Sequence, residues 1–437
     1  MISRLRSAHR GLMVLALKGG EALIGAAMTI YLARIMGPAS FGVFAFGLAT
    51  TTLLAIPIKN GASTLITKHV AIAHDGEGQH MAGPLVVTGI GMSLLYAGFI
   101  LAGLWGAVSF RIDSPFLAAA AITALALPFL CLTGLWEGVL RGSFRPNTAI
   151  LVGTILLPFG MLVLGVALTT QLTTQGWRLA GAIYIGVAMA VSLLALILAR
   201  PHLQDLLAKP EQRVLMVPTV WIGHAVPFAV VTGLLIFNRQ IDVILLATLR
   251  SEEAAGIYRI AAQAAVLVTF GVQAIGHLYA PYLAQTKEAA APDTLSAYLR
   301  RSVRFSLGYG FLALGALAIW GDDIIATLAG AAYLPGYPIM LILCAANLAV
   351  ALNGATMQAL FMQGHQTKVV WVFAAAGVFS VIANVVLIPL LGLYGAAIAT
   401  SCAIVIWSLG LRVMACRIWG LSFVSLRPVS AIPATKC

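Results

Sequence analysis

The sequence predicts an all-α polytopic membrane protein with about 12 transmembrane helices in two pseudo-symmetric six-helix bundles, both termini lying in the cytoplasm. Hydrophobic residues make up 61% of the 437 residues, and charged residues only 9%. A soluble domain carries about one quarter charged residues. Apolar runs of about 20 residues recur along the whole chain, and parts of the second half repeat the first.

These apolar runs define the individual spans. Each run is long enough to cross about 30 Å of hydrocarbon as a helix, and the short alternating segments of a membrane barrel are absent. The first run follows a basic flank, "MISRLRSAHR", but continues past Lys18 without a convincing cleavage site, so an uncleaved span is expected. The predicted spans cover residues 11–33, 42–66, 82–106, 115–138, 147–170, 178–199, 217–248, 256–284, 303–328, 338–361, 367–390 and 393–414.

The net charge of +12 is explained by topology. Basic residues are scattered among the connections and form no basic module, which argues against a nucleic-acid partner. They concentrate at the N-terminus, in the even-to-odd connections and at the C-terminus. The positive-inside rule therefore places these segments in the cytoplasm.

The longest polar connection, "ARPHLQDLLAKPEQR", divides the chain into two halves. It predicts an N-terminal six-helix bundle of residues 1–205, a C-terminal six-helix bundle of residues 206–420 and a cytoplasmic tail of residues 421–437. A shift of 214 residues aligns "YLARIMGPASFGVF" with "LLATLRSEEAAGIY" and matches Gly42 with Gly256. Since each half has an even number of spans, the copies are expected to share one orientation, related by an axis along the membrane normal.

Span four contains two successive GxxxG steps. They are formed by Gly134, Gly138 and Gly142 in "GLWEGVLRG". Small residues at this spacing let helix backbones approach closely, so the pattern predicts tight helix packing.

Two cation–acid pairs interrupt the apolar spans. Arg239 and Asp242 lie three residues apart in "IFNRQIDVILL", and Lys18 and Glu21 repeat this spacing in "LKGGEAL". An ionisable group at mid-bilayer costs roughly 2.5–3.5 kcal/mol, so it normally faces protein or a water-filled cavity. The cation comes first in both pairs, which is the less favourable order for helix stability. Two interpretations stay open: ion pairs that tie helices together, or a cavity in which Lys18 and Arg239 bind substrate while Asp242 and Glu21 provide charge pairing or coupling.

Lys59 in "LLAIPIKNGASTLITKHV" has no carboxylate within one helical turn of sequence. It lies about 13 Å from Lys68 along an ideal helix, too deep to reach the interface comfortably. Pro57 and Gly61 beside it predict a kinked segment. We therefore predict a cavity-lining cation that binds substrate.

The interior cations counted from the sequence outnumber the interior acids. Lys18, Lys59 and Arg239 stand against Glu21 and Asp242, which predicts a locally positive pathway for a phosphate or pyrophosphate group. The sequence contains no GxxxxGK[ST], HExxH or GxSxG motif and no paired cysteine–histidine ligand set, so we expect no catalytic residue, no metal site and no cofactor.

Four stretches resemble a known family: "YLARIMGPASFGVFAFGLA", "NRQIDVILLATLRSEEAAGIYRIAAQ", "VLRGSFRP" and "NVVLIPLLGLYGAAIATS". The chain resembles the polysaccharide transporter branch, the Wzx-type O-antigen flippases, of the multidrug/oligosaccharidyl-lipid/polysaccharide exporter superfamily. The resemblance implies a two-bundle transporter that flips an undecaprenyl-diphosphate-linked oligosaccharide across the bacterial inner membrane by alternating access, for O-antigen, capsule or exopolysaccharide synthesis. It also implies that cavity cations, here Lys18, Lys59 and Arg239, bind the diphosphate, and that a polysaccharide polymerase and chain-length machinery are partners.

Three alternatives stay open, and one of them is a scaffold of a polysaccharide assembly complex without transport of its own. A cation-coupled multidrug exporter of the same superfamily would favour interior carboxylates, whereas cations predominate here. A membrane-embedded polysaccharide polymerase or glycosyltransferase would need an outward catalytic loop, but the outward connections are short. Asp322 and Asp323, the acidic pair on that side, are expected to form a solvated helix end.

Overall fold

The computed structural model describes residues 2–74, 79–109, 114–208, 218–285, 292–422 and 426, which are almost entirely helical and contain no β-strand element. An α-helix satisfies all its backbone hydrogen bonds internally, as a lipid environment requires. The α-helices are α1 (Ile2–Ala55), α2 (Ser63–His74), α3 (Gln79–Ser109), α4 (Pro115–Ala124), α5 (Leu127–Gly142), α6 (Pro146–Ile150), α7 (Leu156–Ala167), α8 (Thr169–Leu206), α9 (Pro218–Leu249), α10 (Glu252–Gln285), α11 (Pro292–Leu328), α12 (Tyr337–Ala351), α13 (Thr356–Met362), α14 (Gln366–Leu391) and α15 (Leu393–Trp419). Two π-helical turns, Ile56–Ala62 and Leu151–Ile155, and one 3₁₀ turn, Ala331–Gly336, connect some of them.

The helical segments account for the predicted spans. Within the described ranges, ten segments are long and apolar enough to cross a membrane, and α4 with α5 forms a further span bent by 43°. The first segment, Leu17–Ala73, contains predicted spans one and two, separated by a break at Gly37 with φ 73° and ψ 167°. The all-α membrane fold is thus confirmed, whereas the positions of the termini relative to the membrane stay a prediction.

The breaks between helices recur in the two halves. Gly37 corresponds to Ser251 under the 214-residue shift, and Ser251 is one of the two non-helical residues between α9 and α10. Gly176 has φ 54° and ψ −131°, and Gly392 has φ 60° and ψ −129°. Glycine adopts this backbone region far more readily than other residues. The chain therefore bends in the same way between spans five and six as between spans eleven and twelve.

A reciprocal backbone contact confirms the internal repeat. A Cβ atom added to Gly42 would overlap the carbonyl oxygen of Glu252, and one added to Gly256 would overlap that of Pro38. Pro38 and Glu252 are also equivalent under the 214-residue shift. Contacts in which i meets j and j meets i are those made by two-fold related copies. The two copies of this segment therefore pack about a local pseudo-two-fold axis, at positions where only glycine fits.

Packing divides the chain into two compact units, Met1–Arg259 and Ile260–Cys437. In the first unit, α9 packs against α1 and against the π-helical turn Ile56–Ala62. In the second unit, α15 packs against α12 and α14. The predicted bundles, residues 1–205 and 206–420, are defined by repetition and not by packing, and they stay a prediction. Most of the predicted tail, residues 421–437, lies outside the described residues.

Candidate substrate-binding site

Lys18 and Glu21 form the expected ion pair on α1. The Nζ atom of Lys18 donates a hydrogen bond of 2.6 Å to Oε2 of Glu21. The side chains are 43% and 30% exposed. A pair this accessible is reachable by a ligand and adds only about 0–1 kcal/mol to stability.

Arg239 and Asp242 lie in different environments on α9. Asp242 is 3% exposed, and its Oδ2 accepts a hydrogen bond of 3.3 Å from the hydroxyl of Tyr258. Arg239 is exposed, and its guanidinium interacts electrostatically with the Glu21 carboxylate on α1. The acid that neighbours Arg239 in sequence is thus held by another helix, while the acid of the other pair acts on Arg239.

Hydrogen bonds from α10 reach α9 just after Arg239 in sequence, at Gln240 and Asp242. Besides the bond from Tyr258 to Asp242, Nη1 of Arg259 donates a hydrogen bond of 3.1 Å to Oε1 of Gln240. Gln240 directly follows Arg239. Because both acceptors lie on α9 and both donors on α10, these bonds limit rotation of α9 about its axis.

Lys59 lies in the π-helical turn Ile56–Ala62 and is half-buried. Pro57 occupies the beginning of this turn. The kink expected from Pro57 and Gly61 is therefore present in the form of a π-helical turn. Such turns occur frequently at functional sites because they shift side chains out of the regular helical register.

Glycines of α5 place this turn against the neighbouring helix. A Cβ atom on Gly134 would lie 2.6 Å from Cα of Lys59, and one on Gly138 would lie 2.7 Å from the carbonyl oxygen of Ser63. Gly142 makes an equally close approach to α2, to Val70. The packing predicted from the GxxxG steps is confirmed, and its consequence is that α5 lies directly on the backbone of Lys59.

Glu137 is a third interior acid that the count from the sequence missed. Its side chain is 5% exposed, and Arg141, one turn along α5, donates a hydrogen bond to its Oε1. The charges of Lys59 and Lys18 also act on the Glu137 carboxylate. The sequence does contain a signal for Glu137, because it is an acid within an apolar run, "GLWEGVLRG". The glycine spacing of the same run indicates helix packing and says nothing about the acid. The predicted ratio of three interior cations to two interior acids is therefore wrong.

We call six residues of the first unit the charged cluster: Lys18, Glu21, Lys59, Glu137, Arg141 and Arg239. Electrostatic interactions connect Glu137 with the other members on α1, α5 and the π-helical turn, and connect Glu21 with Arg239. The cluster contains four cations and two carboxylates, so it has an excess of two positive charges. Lys18, Lys59, Arg239 and Glu21 were predicted as site residues, and the structure brings these four into one unit. Asp242, the fifth, lies in the same unit but outside the charged cluster, and it accepts a hydrogen bond from Tyr258.

Comparison with protein families identifies the family of the chain. The model of the polysaccharide biosynthesis protein family matches residues 9–287, more than half of the sequence. The chain belongs to this family. No curated protein matches it.

Several solved structures share the fold of this polysaccharide biosynthesis protein. A multidrug resistance MATE family transporter of the MOP superfamily, in an inward-facing conformation, is 14% identical with a TM-score of 0.70, covering 96% of this chain and 100% of that one. The lipid II flippase MurJ, in an inward closed conformation, is 11% identical with a TM-score of 0.72, covering 92% and 87%. A MOP superfamily transporter from Pyrococcus furiosus, whose binding pocket is described as reversed in polarity, is 15% identical with a TM-score of 0.59, covering 94% and 94%. At these identities the likeness establishes the fold alone.

The second unit of this family member has a polar interior of another kind. Asn353 donates hydrogen bonds to the carbonyl and hydroxyl oxygens of Ser408, at 2.9 and 2.6 Å. Arg412, 7% exposed, donates one of 2.8 Å to the carbonyl oxygen of Leu352. These contacts bridge α15 to the non-helical residues between α12 and α13. Among the described residues of the whole chain, no group of three or more His, Cys, Asp or Glu side chains could hold a metal ion.

Proposed function

We propose that this protein is a flippase that moves an undecaprenyl-diphosphate-linked oligosaccharide repeat unit from the cytoplasmic to the periplasmic leaflet of a bacterial inner membrane. It would do so by alternating access, for the synthesis of O-antigen, capsule or exopolysaccharide. The observation that carries the proposal is the charged cluster, in which four cations and two carboxylates lie within membrane-spanning segments of one unit. Membership of the polysaccharide biosynthesis protein family supports the same substrate class.

The chemistry of the cluster suits a diphosphate diester. Each phosphate of such a group carries one negative charge, which matches the excess of two positive charges. Arg239 presents a planar guanidinium that can bind two phosphate oxygens at once, whereas Lys18 and Lys59 act as point charges. In this proposal these three residues bind substrate, and Glu21 and Asp242 provide charge pairing or coupling. No covalent bond is made or broken, so the activity is not enzymatic.

The proposal also includes the membrane topology of the transporter, the direction of transport and its partners. Both termini would lie in the cytoplasm, as the distribution of basic residues predicts. The lipid-linked oligosaccharide would arrive from the cytoplasmic leaflet and leave to the opposite one, where a polysaccharide polymerase and its chain-length machinery would receive it. The bilayer itself is the medium for the lipid tail throughout the cycle.

Flipping measured in vesicles tests the proposal. The purified protein is reconstituted with a lipid-linked oligosaccharide diphosphate, and exposure of the glycan on the outer surface is followed with an impermeant probe. Lys59→Ala and Arg239→Ala are each expected to slow flipping about tenfold, because each removes a charge-assisted contact to phosphate. Lys368→Ala is the matched control, since Lys368 is an exposed residue of α14 outside the charged cluster.

Two results would contradict the proposal. The first is undiminished flipping by both cluster variants at normal expression. The second is transport of an organic cation by the wild type in the same vesicles without transport of the lipid-linked glycan, which would identify a multidrug exporter instead.

A further inference from the structure

Lys59 obtains its counter-charge from a neighbouring helix. It is half-buried in the π-helical turn, and its own segment has no carboxylate within one turn. Gly134 brings α5 against the backbone of Lys59, and Glu137 follows three residues later on the same helix. The Glu137 carboxylate therefore lies within electrostatic reach of Lys59.

Glu137 is held in place from two further directions. Arg141 donates a hydrogen bond to it from the next turn of α5. A Cβ atom added to Gly153 would overlap the carboxyl group, so Gly153 also lies against it. Gly153 belongs to the second π-helical turn, Leu151–Ile155. The carboxylate thus lies between the two π-helical turns of the unit, in a space that any larger residue at position 153 would fill.

A buried carboxylate in this position stabilises the empty site and destabilises the site that holds a phosphate group. In the empty site it provides a counter-charge for the half-buried Lys59 and for Arg141, which donates a hydrogen bond to it. In the loaded site it repels the phosphate oxygens that Lys59 attracts. Since Glu137 is enclosed on several sides, it cannot move away when an anion enters.

We propose that Glu137 is the resident counter-ion of the substrate site and limits its affinity for the diphosphate group, so that bound substrate can be released. This inference rests on the proposed function. It gives Glu137 a role in that function, which Glu137 performs through Lys59 and Arg141. Glu137 is thus a positioning residue that makes no contact with substrate. Its removal is expected to favour binding and to slow release.

Binding of farnesyl diphosphate to the purified full-length chain in nanodiscs tests this role. Glu137→Gln preserves the shape of the side chain and removes its charge, and it is expected to lower the Kd about threefold to tenfold, in line with the loss of one nearby charge repulsion. In the vesicle assay the same variant is expected to lower both KM and kcat, because substrate binds more tightly and leaves more slowly. Asp323→Asn, which removes a charge at the exposed end of α11, is the matched control and should leave the Kd unchanged.

Lys59→Ala and the double variant make the coupling measurable. If Glu137 acts through Lys59, Glu137→Gln should change the Kd less in the Lys59→Ala background than in the wild type. A purely structural role would lower the thermal stability of Glu137→Gln and leave its Kd at or above the wild-type value. Glu137→Ala removes the same charge with a smaller side chain and should tighten binding likewise, which provides a second variant if the first does not fold.

The outcomes distinguish this inference from the proposed function. If the wild type binds farnesyl diphosphate and Lys59→Ala weakens binding, but neither neutral variant of Glu137 tightens it, the role of Glu137 is wrong and the proposed function stands. If the wild type does not discriminate farnesyl diphosphate from farnesol, the proposed substrate class is wrong as well.

Discussion

The two cation–acid pairs of α1 and α9 have the same spacing and the same order in sequence, yet they end in different structures. Lys18 and Glu21 are joined by a hydrogen bond of 2.6 Å and stay partly exposed. Asp242 is buried against Tyr258, and Arg239 remains exposed in the field of Glu21. The comparison shows that spacing places two side chains on one side of a helix, whereas the neighbouring helix determines which partner each one finds.

The internal repeat shows that the polar surroundings of Asp242 are particular to the second copy. Under the 214-residue shift, Tyr258 corresponds to Phe44, which is 1% exposed and has no hydroxyl group. Arg259 corresponds in the same way to Ala45. The helix beside α9 therefore offers polar donors at positions where the corresponding helix of the first half is apolar. Asp242 itself corresponds to Met28 in the first half, so the acid and its donor on the neighbouring helix are both particular to the second copy.

Exchange of the charges on α9 should have the largest effect on stability. The double variant Arg239→Asp, Asp242→Arg would put a guanidinium at a position that is 3% exposed and faces the Tyr258 hydroxyl. It would also put a carboxylate in the field of Glu21. An uncompensated buried charge costs about 3–5 kcal/mol, so we expect little folded protein, as measured by size-exclusion chromatography and thermal unfolding in detergent. A double variant as stable as the wild type would mean that Arg239 and Asp242 behave as a simple ion pair.

The sequence was sufficient for the features that depend on local pattern. Apolar runs of membrane length predicted the spans, and the GxxxG steps predicted tight helix packing, which the structure contains where Gly134 approaches Lys59. Pro57 and Gly61 predicted a distortion at Lys59, which the structure has as a π-helical turn. The shift that matched Gly42 with Gly256 predicted a repeat, and these two glycines make reciprocal contacts.

The sequence was insufficient wherever a partner comes from another helix. Glu137 acts on Lys59 although 78 positions separate them in the numbering, and no spacing rule connects residues on different helices. The same reason explains Asp242, whose hydrogen bond comes from α10 and not from the neighbouring Arg239. Helix periodicity identifies which residues share a face, but the facing helix and its register are properties of the folded bundle.

Removal of the Tyr258 hydroxyl should have an intermediate effect. Tyr258→Phe preserves the packing of the ring and deletes the donor of the hydrogen bond to Asp242, which makes the position resemble Phe44 of the first half. One hydrogen bond to a buried acceptor contributes about 1–3 kcal/mol. We expect a lower free energy of unfolding by that amount, measured by thermal or denaturant unfolding in detergent. An unchanged stability would show that the environment of Asp242 does not depend on α10.

Exchange of the charges on α1 should have the smallest effect on stability and separates the two interpretations of this pair. The double variant Lys18→Glu, Glu21→Lys re-forms an accessible ion pair, and exposed pairs of this kind differ by less than about 1 kcal/mol. Thermal unfolding should therefore match the wild type. Flipping is expected to fall, because the exchange moves a cation away from position 18 and removes the carboxylate that acts on Arg239. If flipping instead survives the exchange at normal stability, Lys18 and Glu21 form only a helix-stabilising pair, and the substrate site is confined to Lys59 and Arg239.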